Sequence, residues 1–434
     1  MKRYLILLLI LANTFFCKIY SQDISKHDHP ENPFQFTFLF PPLSTNGIKN
    51  SVTVNKLSLN LFIGNSGGVQ GCELGGFINS DNYFVKGFQA AGFGNIVRGP
   101  VSGVQLAGFI NVNAGSTGPL QGAGFINIVG KDITGGQMAG FMNIAGTGLT
   151  GAQLAGFGNI SGSQIKGMQG AGFINIAGNY TTGAQLAGFA NIAASFSSGL
   201  QAAGFMNITP SGFINSQLGG FFNVGRNITG VQIAGFANFA GKVKGTQIAG
   251  FLNVCDSING IPIGFINIVR KNGYRKFEFS ISETSYATLS YKMGVRYFYN
   301  IYNFSKLTGR GSRWMFGAGI GYETDLGENI LLNLEITTNE ELWIADNRVG
   351  RLLHIDRLNM LNQLKTNFGF KMSDRFSFYI GPTFNVAVAN TNPDLGSFNW
   401  HEIGPRWAVY KHTAGNSYQT NVKIWFGVNG GVRF

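Results

Sequence analysis

The chain has 434 residues and a formal net charge of +12, with 63 glycines, 39 phenylalanines and only 11 prolines. The lack of a Gly-X-Y period excludes collagen, and the apolar content excludes a disordered Pro/Gly-rich chain. The length favours two or three structural units over one.

The first residues are Lys2 and Arg3, then an apolar run from Tyr4 to Ala12, then a polar stretch ending in Ser21 and Gln22. This reads as a cleaved secretory signal peptide over residues 1–22, the run being too short to cross a bilayer. Cys17 follows Phe16, where a lipoprotein site needs a small residue. Cleavage would lower the net charge to +9 and leave no basic cluster, so nucleic acid is not an expected partner. Residues 23–33 read as a disordered leader. It contains His27, Asp28 and His29, a combination that can bind metal, but polar residues near a mature terminus are more commonly loose chain.

Residues 34–66 hold two alternating stretches. One places Phe34, Phe36, Phe38 and Phe40 on one face; the other does the same with Leu57, Leu59, Leu61 and Ile63. Both are expected to join a C-terminal barrel, because a membrane sheet must close to remove its edges.

From 67 to 272 one phrase recurs, as in "AQLAGFGNIS" at 152–161. Its Phe falls at 77, 93, 109, 125, 141, 157, 173, 189, 205 and 221, always sixteen apart, and then at 236, 251 and 265. Gly precedes each of these thirteen phenylalanines, Asn follows two residues later, and Gln lies four before in eleven units. A fixed period means a repeat architecture. An up-and-down barrel would give odd and even units different environments, and no such split exists. A solenoid stacks every unit in parallel about 4.8 Å from the last, so like residues meet. The expectation is therefore a glycine-rich β-solenoid of thirteen coils. Its amides and rings would form columns as in cross-β ladders: Gln105, Gln121, Gln137 and Gln153; Asn111, Asn127, Asn143 and Asn159; Phe109, Phe125, Phe141 and Phe157. Glycines six before, one before and often five after Phe supply the bends.

Positions five and three before Phe trade volume: Leu120 goes with Gly122 and Met168 with Gly170, whereas Gly136 goes with Met138 and Ala152 with Leu154. Such compensation is expected where fixed space is filled. Thirteen coils would span roughly 60 Å, putting Cys72 and Cys255 about 50 Å apart, beyond disulfide reach. The repeat has four acids, Glu73, Asp81, Asp132 and Asp256, and no two lie in the same or adjacent coils at matching positions. Acid–base cleavage of a polysaccharide needs clustered carboxylates, so an enzyme on the solenoid is not expected.

Residues 273–434 read as an antiparallel β-barrel of outer-membrane type. Val422, Ile424, Phe426, Val428, Gly430 and Val432 share one face and Lys423, Trp425, Asn429 and Arg433 the other. That dyad pattern is the mark of a transmembrane strand. Phe426 and the final Phe434 match the aromatic signal that ends bacterial outer-membrane barrels. Leu289, Tyr291 and Met293, then Phe316, Ala318 and Ile320, then Leu332, Leu334 and Ile336, then Phe376, Phe378 and Ile380 define further apolar faces.

The tandem GxQxAGFxNI units, with "FPPLSTNG" at 40–47 and "LSLNLFIG", resemble the surface-repeat proteins first named in Leptospira and common in Bacteroidota. The tail motifs "FGAGIGYE" and "IGPTFNV" resemble the C-terminal strands of the Bacteroidota members. The resemblance implies an envelope location and carries no assigned chemistry.

The glycines of "GAGIGYE" lie inside an alternating strand, so they make no nucleotide loop. His354 with Asp356 and His401 with Glu402 have no nucleophile motif beside them. The expected function is a non-enzymatic outer-membrane or cell-surface role in structure, adhesion or interaction. The partners would be outer-membrane lipid and an envelope glycan or protein, and no cofactor is expected. The alternatives are a transport or binding barrel with the repeat as plug or lining, and an envelope hydrolase.

Overall fold

The computed structural model describes residues 29–39, 43–309, 313–342, 358–373, 376–391, 402–412 and 419–434. The expected signal peptide and His27, Asp28, His354, Asp356 and His401 lie outside the described residues. The protein is all-β, a parallel β-solenoid of about 14 turns of about 16 residues and a closed eight-strand antiparallel barrel. The chain divides into two compact units, Met1–Lys244 and Gly245–Phe434.

In the first unit each phrase folds into two short strands joined at a Gly-Phe corner, as in Ile133–Ala139 and Met142–Ala145. Pairing is parallel and in register. Gln137 lies between Gln121 and Gln153, and Asn143 between Asn127 and Asn159. The glycine six before Phe takes the φ that other residues avoid, +130° at Gly151. The glycine before Phe is demanded by space, since a Cβ on Gly140 would lie 2.1 Å from the Gly124 carbonyl oxygen of the preceding coil. At the corner one carbonyl serves two donors: Phe109 O accepts from the N–H groups of Phe125 and Ile126.

Side chains are sorted in an unusual sense. Gln and Asn point inward and are fully buried, beside a thin apolar seam of Ile133, Leu149 and Ile165. Phe109, Phe125 and Phe157 point outward and remain more than a third exposed. From Phe77 to Phe221 the stacked rings of successive coils lie 4.8 to 5.1 Å apart.

The strands of 34–66 do not join the barrel. Glu31–Thr37 pairs in parallel with Val54–Asn60, which pairs in parallel with Ile63–Gly75, so they begin the solenoid and carry it beyond the thirteen phrase units. Their alternation misleads because the solenoid, like a membrane barrel, turns apolar side chains out. Leu57 and Leu61 are exposed, while Asn55, Ser58 and Asn60 are buried. The leader is correspondingly shorter, since residues 31–33 are strand and His29 stacks on Tyr83 at 4.2 Å. The volume trade also has a different setting. Both positions face outward, and the filling is between coils: a Cβ at Gly122 would sit 3.1 Å from Leu106 Cδ2, and one at Gly136 3.2 Å from Leu120 Cδ1.

In the second unit the last repeat strand is Ile266–Val269. The barrel follows as Tyr274–Ser282, Ser285–Val295, Phe298–Leu307, Trp314–Asp325, Ile330–Leu342, Asn359–Lys371, Ser377–Thr391 and Gln419–Arg433. Neighbours are antiparallel, and the last strand closes on the first with Phe279 opposite Val432. The short strand Tyr410–His412 adds to the last strand where the first has ended. Cys72 and Cys255 are free thiols.

Candidate functional site

Two amide columns run through the solenoid in opposite senses. Each Gln donates to the Gln of the preceding coil: Gln121 to Gln105 at 2.7 Å, Gln137 to Gln121 at 2.8 Å and Gln153 to Gln137 at 2.7 Å. Each Asn donates to the Asn of the following coil: Asn111 to Asn127, Asn127 to Asn143 and Asn143 to Asn159, all at 2.9 Å. The second N–H of Asn143 reaches the Leu154 carbonyl at 2.7 Å, so Asn closes both a column and a backbone acceptor. Such networks are stabilising only when every member is satisfied.

The Gln column ends on carboxyls. Glu73 holds the Gln position of the first phrase unit, and Gln89 donates to it at 2.7 Å and to Asp81 at 2.5 Å. Ser58 and Asn60 also donate to Glu73, and Ser66 to Asp81. Burial pushes the Glu73 carboxyl up, and burial with the Glu73 charge pushes Asp81 up further. Gln89 bridges the two carboxyls, donating to both. The sequence places no two acids at matching positions, but Glu73 and Asp81 meet from non-matching ones, four before and four after Phe77. Positions four before and four after Phe converge inside a coil, as Gln105 and Asn113 also show. Both carboxyls are fully buried, so they form a structural terminus that a substrate does not reach.

The barrel interior is a second polar assembly. Lys292 Nζ lies 2.5 Å from both Glu278 and Glu335, and Arg433 lies 2.8 Å from Glu278 and 3.1 Å from Glu323. Tyr299, Tyr379 and Tyr274 donate to Glu335, Glu278 and Glu323. Beyond it the apolar cluster of Leu307, Met315, Leu361, Ile403 and Trp425 occupies the interior, and the cavity left beside Ser280 and Thr288 measures only about 20 Å³. That is room for about one water. Among the described residues, these side chains occupy the barrel interior.

No family model, curated protein or solved structure matches this chain.

In the second unit Asn253 donates to Asn267 at 2.9 Å, and Asn267 donates to Asn300 of the barrel wall at 3.3 Å. Asn300 in turn donates to the carbonyls of Gly264 and Phe265, and Tyr302 donates to Phe265 O and packs its ring edge-on at 5.4 Å. Neither Asn300 nor Tyr302 was singled out from sequence. The only available signal was two polar groups on the outward side of a membrane-type strand.

Phe426 packs against Phe384 at 5.4 Å on the outer wall, and Phe434 pairs its backbone with Phe277. Glu402 accepts from Lys411 at 3.0 Å and lies 2.8 Å from Lys423, an ion-paired loop. Among the described residues no group of three or more His, Cys, Asp or Glu is placed to hold a metal ion.

Proposed function

We propose that this is an exported, non-enzymatic protein of the outer membrane, anchored by the C-terminal barrel and presenting the solenoid as a structural or interaction element. One observation carries the reading: the barrel wall is inverted relative to a soluble sandwich. Phe279, Ile281, Ile336, Ile380, Phe426 and Val428 point out and stay exposed, while Glu278, Lys292, Glu335 and Arg433 are buried inside. A charged interior with an apolar exterior is stable where lipid, not water, surrounds the wall. The basic-then-apolar start of the chain fits export, and the tandem phrase fits membership of the bacterial surface-repeat proteins. The buried setting of Glu73 and Asp81 supports a non-enzymatic role.

The test is gel migration of the detergent-solubilised full chain with and without boiling. A faster band before boiling is expected of a folded membrane barrel. Recovery of the folded chain from denaturant in buffer without detergent or lipid would overturn the assignment.

A further inference from the structure

We infer that the outward face of the solenoid is itself a lipid-binding surface, seated in the acyl-chain layer of a bilayer with its basic edge at anionic headgroups. The inference rests on the membrane reading above and extends it from the barrel to the repeat.

In each coil from Phe77 to Phe251, the positions five and three before Phe, Phe itself, and one and three after it lie on the side opposite the buried Gln and Asn, whereas in the last coil Pro262 takes the Gln register. Over the eleven coils from Phe77 to Phe236 the only polar side chains at these positions are Ser80, Ser216 and the thiol of Cys72. The rest are Phe, Ile, Leu, Val, Met, Ala or Gly, and none is charged. The same strands turn their Gln and Asn inward to full burial. A soluble coil would do the reverse, and so large an apolar surface on a soluble protein marks an interaction site.

Charge locates the occupant. Among the described residues of 29–244 the exposed charges are nine basic side chains and two acidic ones, Glu31 and Asp132. Within the phrase units the basic ones, among them Arg98, Lys131, Lys166 and Arg226, all fall five to nine residues after a Phe, on the edge away from the apolar positions. An apolar face bordered by a basic edge is the pattern of interfacial attachment to anionic lipid.

The second unit points the same way. Its last coil is bonded to Asn300 and Tyr302, which lie on the outward side of the strand Phe298–Leu307, whose alternate residues Tyr299, Ile301 and Asn303 are buried inside. A coil held against that wall stands in the layer the wall occupies. Periodicity also argues against a protein occupant. Successive coils present nearly the same contact every 4.8 Å or so, so a partner chain would find little to fix its register, whereas fluid acyl chains need none.

The test uses the full chain in vesicles of phosphatidylcholine and phosphatidylglycerol, with all native cysteines replaced by alanine. Single nitroxide labels are placed at Phe157→Cys and Ala184→Cys on the face, Thr150→Cys and Lys166→Cys on the edge, and Phe426→Cys on the barrel wall. Ala184 covers the case in which loss of Phe157 disturbs folding. Collision with oxygen relative to a water-soluble nickel chelate should be several-fold higher at the face than at the edge and should match position 426. Face values equal to edge values, with 426 still lipid-exposed, would overturn the inference and leave the barrel assignment standing. Nickel access at 426 as well would overturn both. Face labels shielded from both reagents would assign the surface to a protein partner or second copy and overturn the lipid reading.

Discussion

Gln89 donates its side-chain amide to Glu73 at 2.7 Å, and by that bond the glutamine column ends on a carboxyl. The column needs an acceptor there because every Gln passes its donor toward the N-terminal side. Glu73→Leu would strand the Gln89 donor and the Asn60 and Ser58 groups that also use this carboxyl. Buried groups left bare cost about 1–3 kcal/mol each. Urea unfolding should show a loss of at least that size, with hydrogen exchange rising first over residues 54–91, while Glu73→Gln should lose much less.

The carboxyl pair sets a pH dependence. Burial raises both groups, and Asp81 is raised further by Glu73. An acid whose folded value is raised contributes stability below its ordinary value, near 4, and that contribution is lost as pH rises through the folded value. The N-terminal coils should therefore exchange amide hydrogens faster as pH is raised, beyond the intrinsic rate change. Asp81→Asn should flatten that dependence. An unchanged profile in the variant would remove the pair as its cause.

Mid-stack substitutions separate two requirements of the repeat. Asn143→Leu removes the acceptor of Asn127 and the donor to Leu154 O, at about 1–3 kcal/mol for each group left bare. Gly151→Ala keeps every polar bond but places a Cβ 2.0 Å from Gly135 O at φ +130°, a conformation incompatible with alanine that costs more than about 1 kcal/mol. Both should lower the urea midpoint, whereas Thr150→Ala on the exposed edge should change it little.

Inside the barrel, Lys292 is the cation between two buried carboxylates, Glu278 and Glu335. Lys292→Met leaves both without it, although Arg433 still faces Glu278. Breaking a buried pair by removing one partner costs about 3–5 kcal/mol. The unboiled gel band should convert to the boiled form at lower temperature in this variant.

Thiol chemistry distinguishes the cysteines. Burial, aided by the nearby Asp256 charge, pushes the Cys255 thiol up to about 12. Thiolate is the reactive form, so at pH 8 Cys255 should resist a thiol reagent until the chain is unfolded. Rapid labelling of Cys255 in the folded protein would contradict its burial.

The fold was largely legible in the residues because the repeat is its own alignment. Identical Gln, Phe and Asn at a sixteen-residue period can all see the same environment only in a parallel stack, and the observed columns follow. The apolar faces of the barrel strands were equally plain from their period of two. Two things were not. The alternation of Leu57, Leu59 and Leu61 is the same in a membrane strand and in a coil that turns its apolar side out, so period alone could not assign it. Glu73 and Asp81 looked isolated because their eight-residue spacing becomes proximity only once the coil is closed. The docking residues Asn300 and Tyr302 had only their polarity on an outward strand face as a signal, since their partners Gly264 and Phe265 act through backbone carbonyls.

The central claim is that this chain resides in a membrane through its barrel. Alkaline carbonate extraction of envelopes from cells producing the full chain, followed by density separation of the membranes, tests it most directly. The account predicts that the protein stays in the outer-membrane fraction and leaves it only with detergent. Release into the carbonate supernatant, or recovery in the soluble fraction, would contradict it.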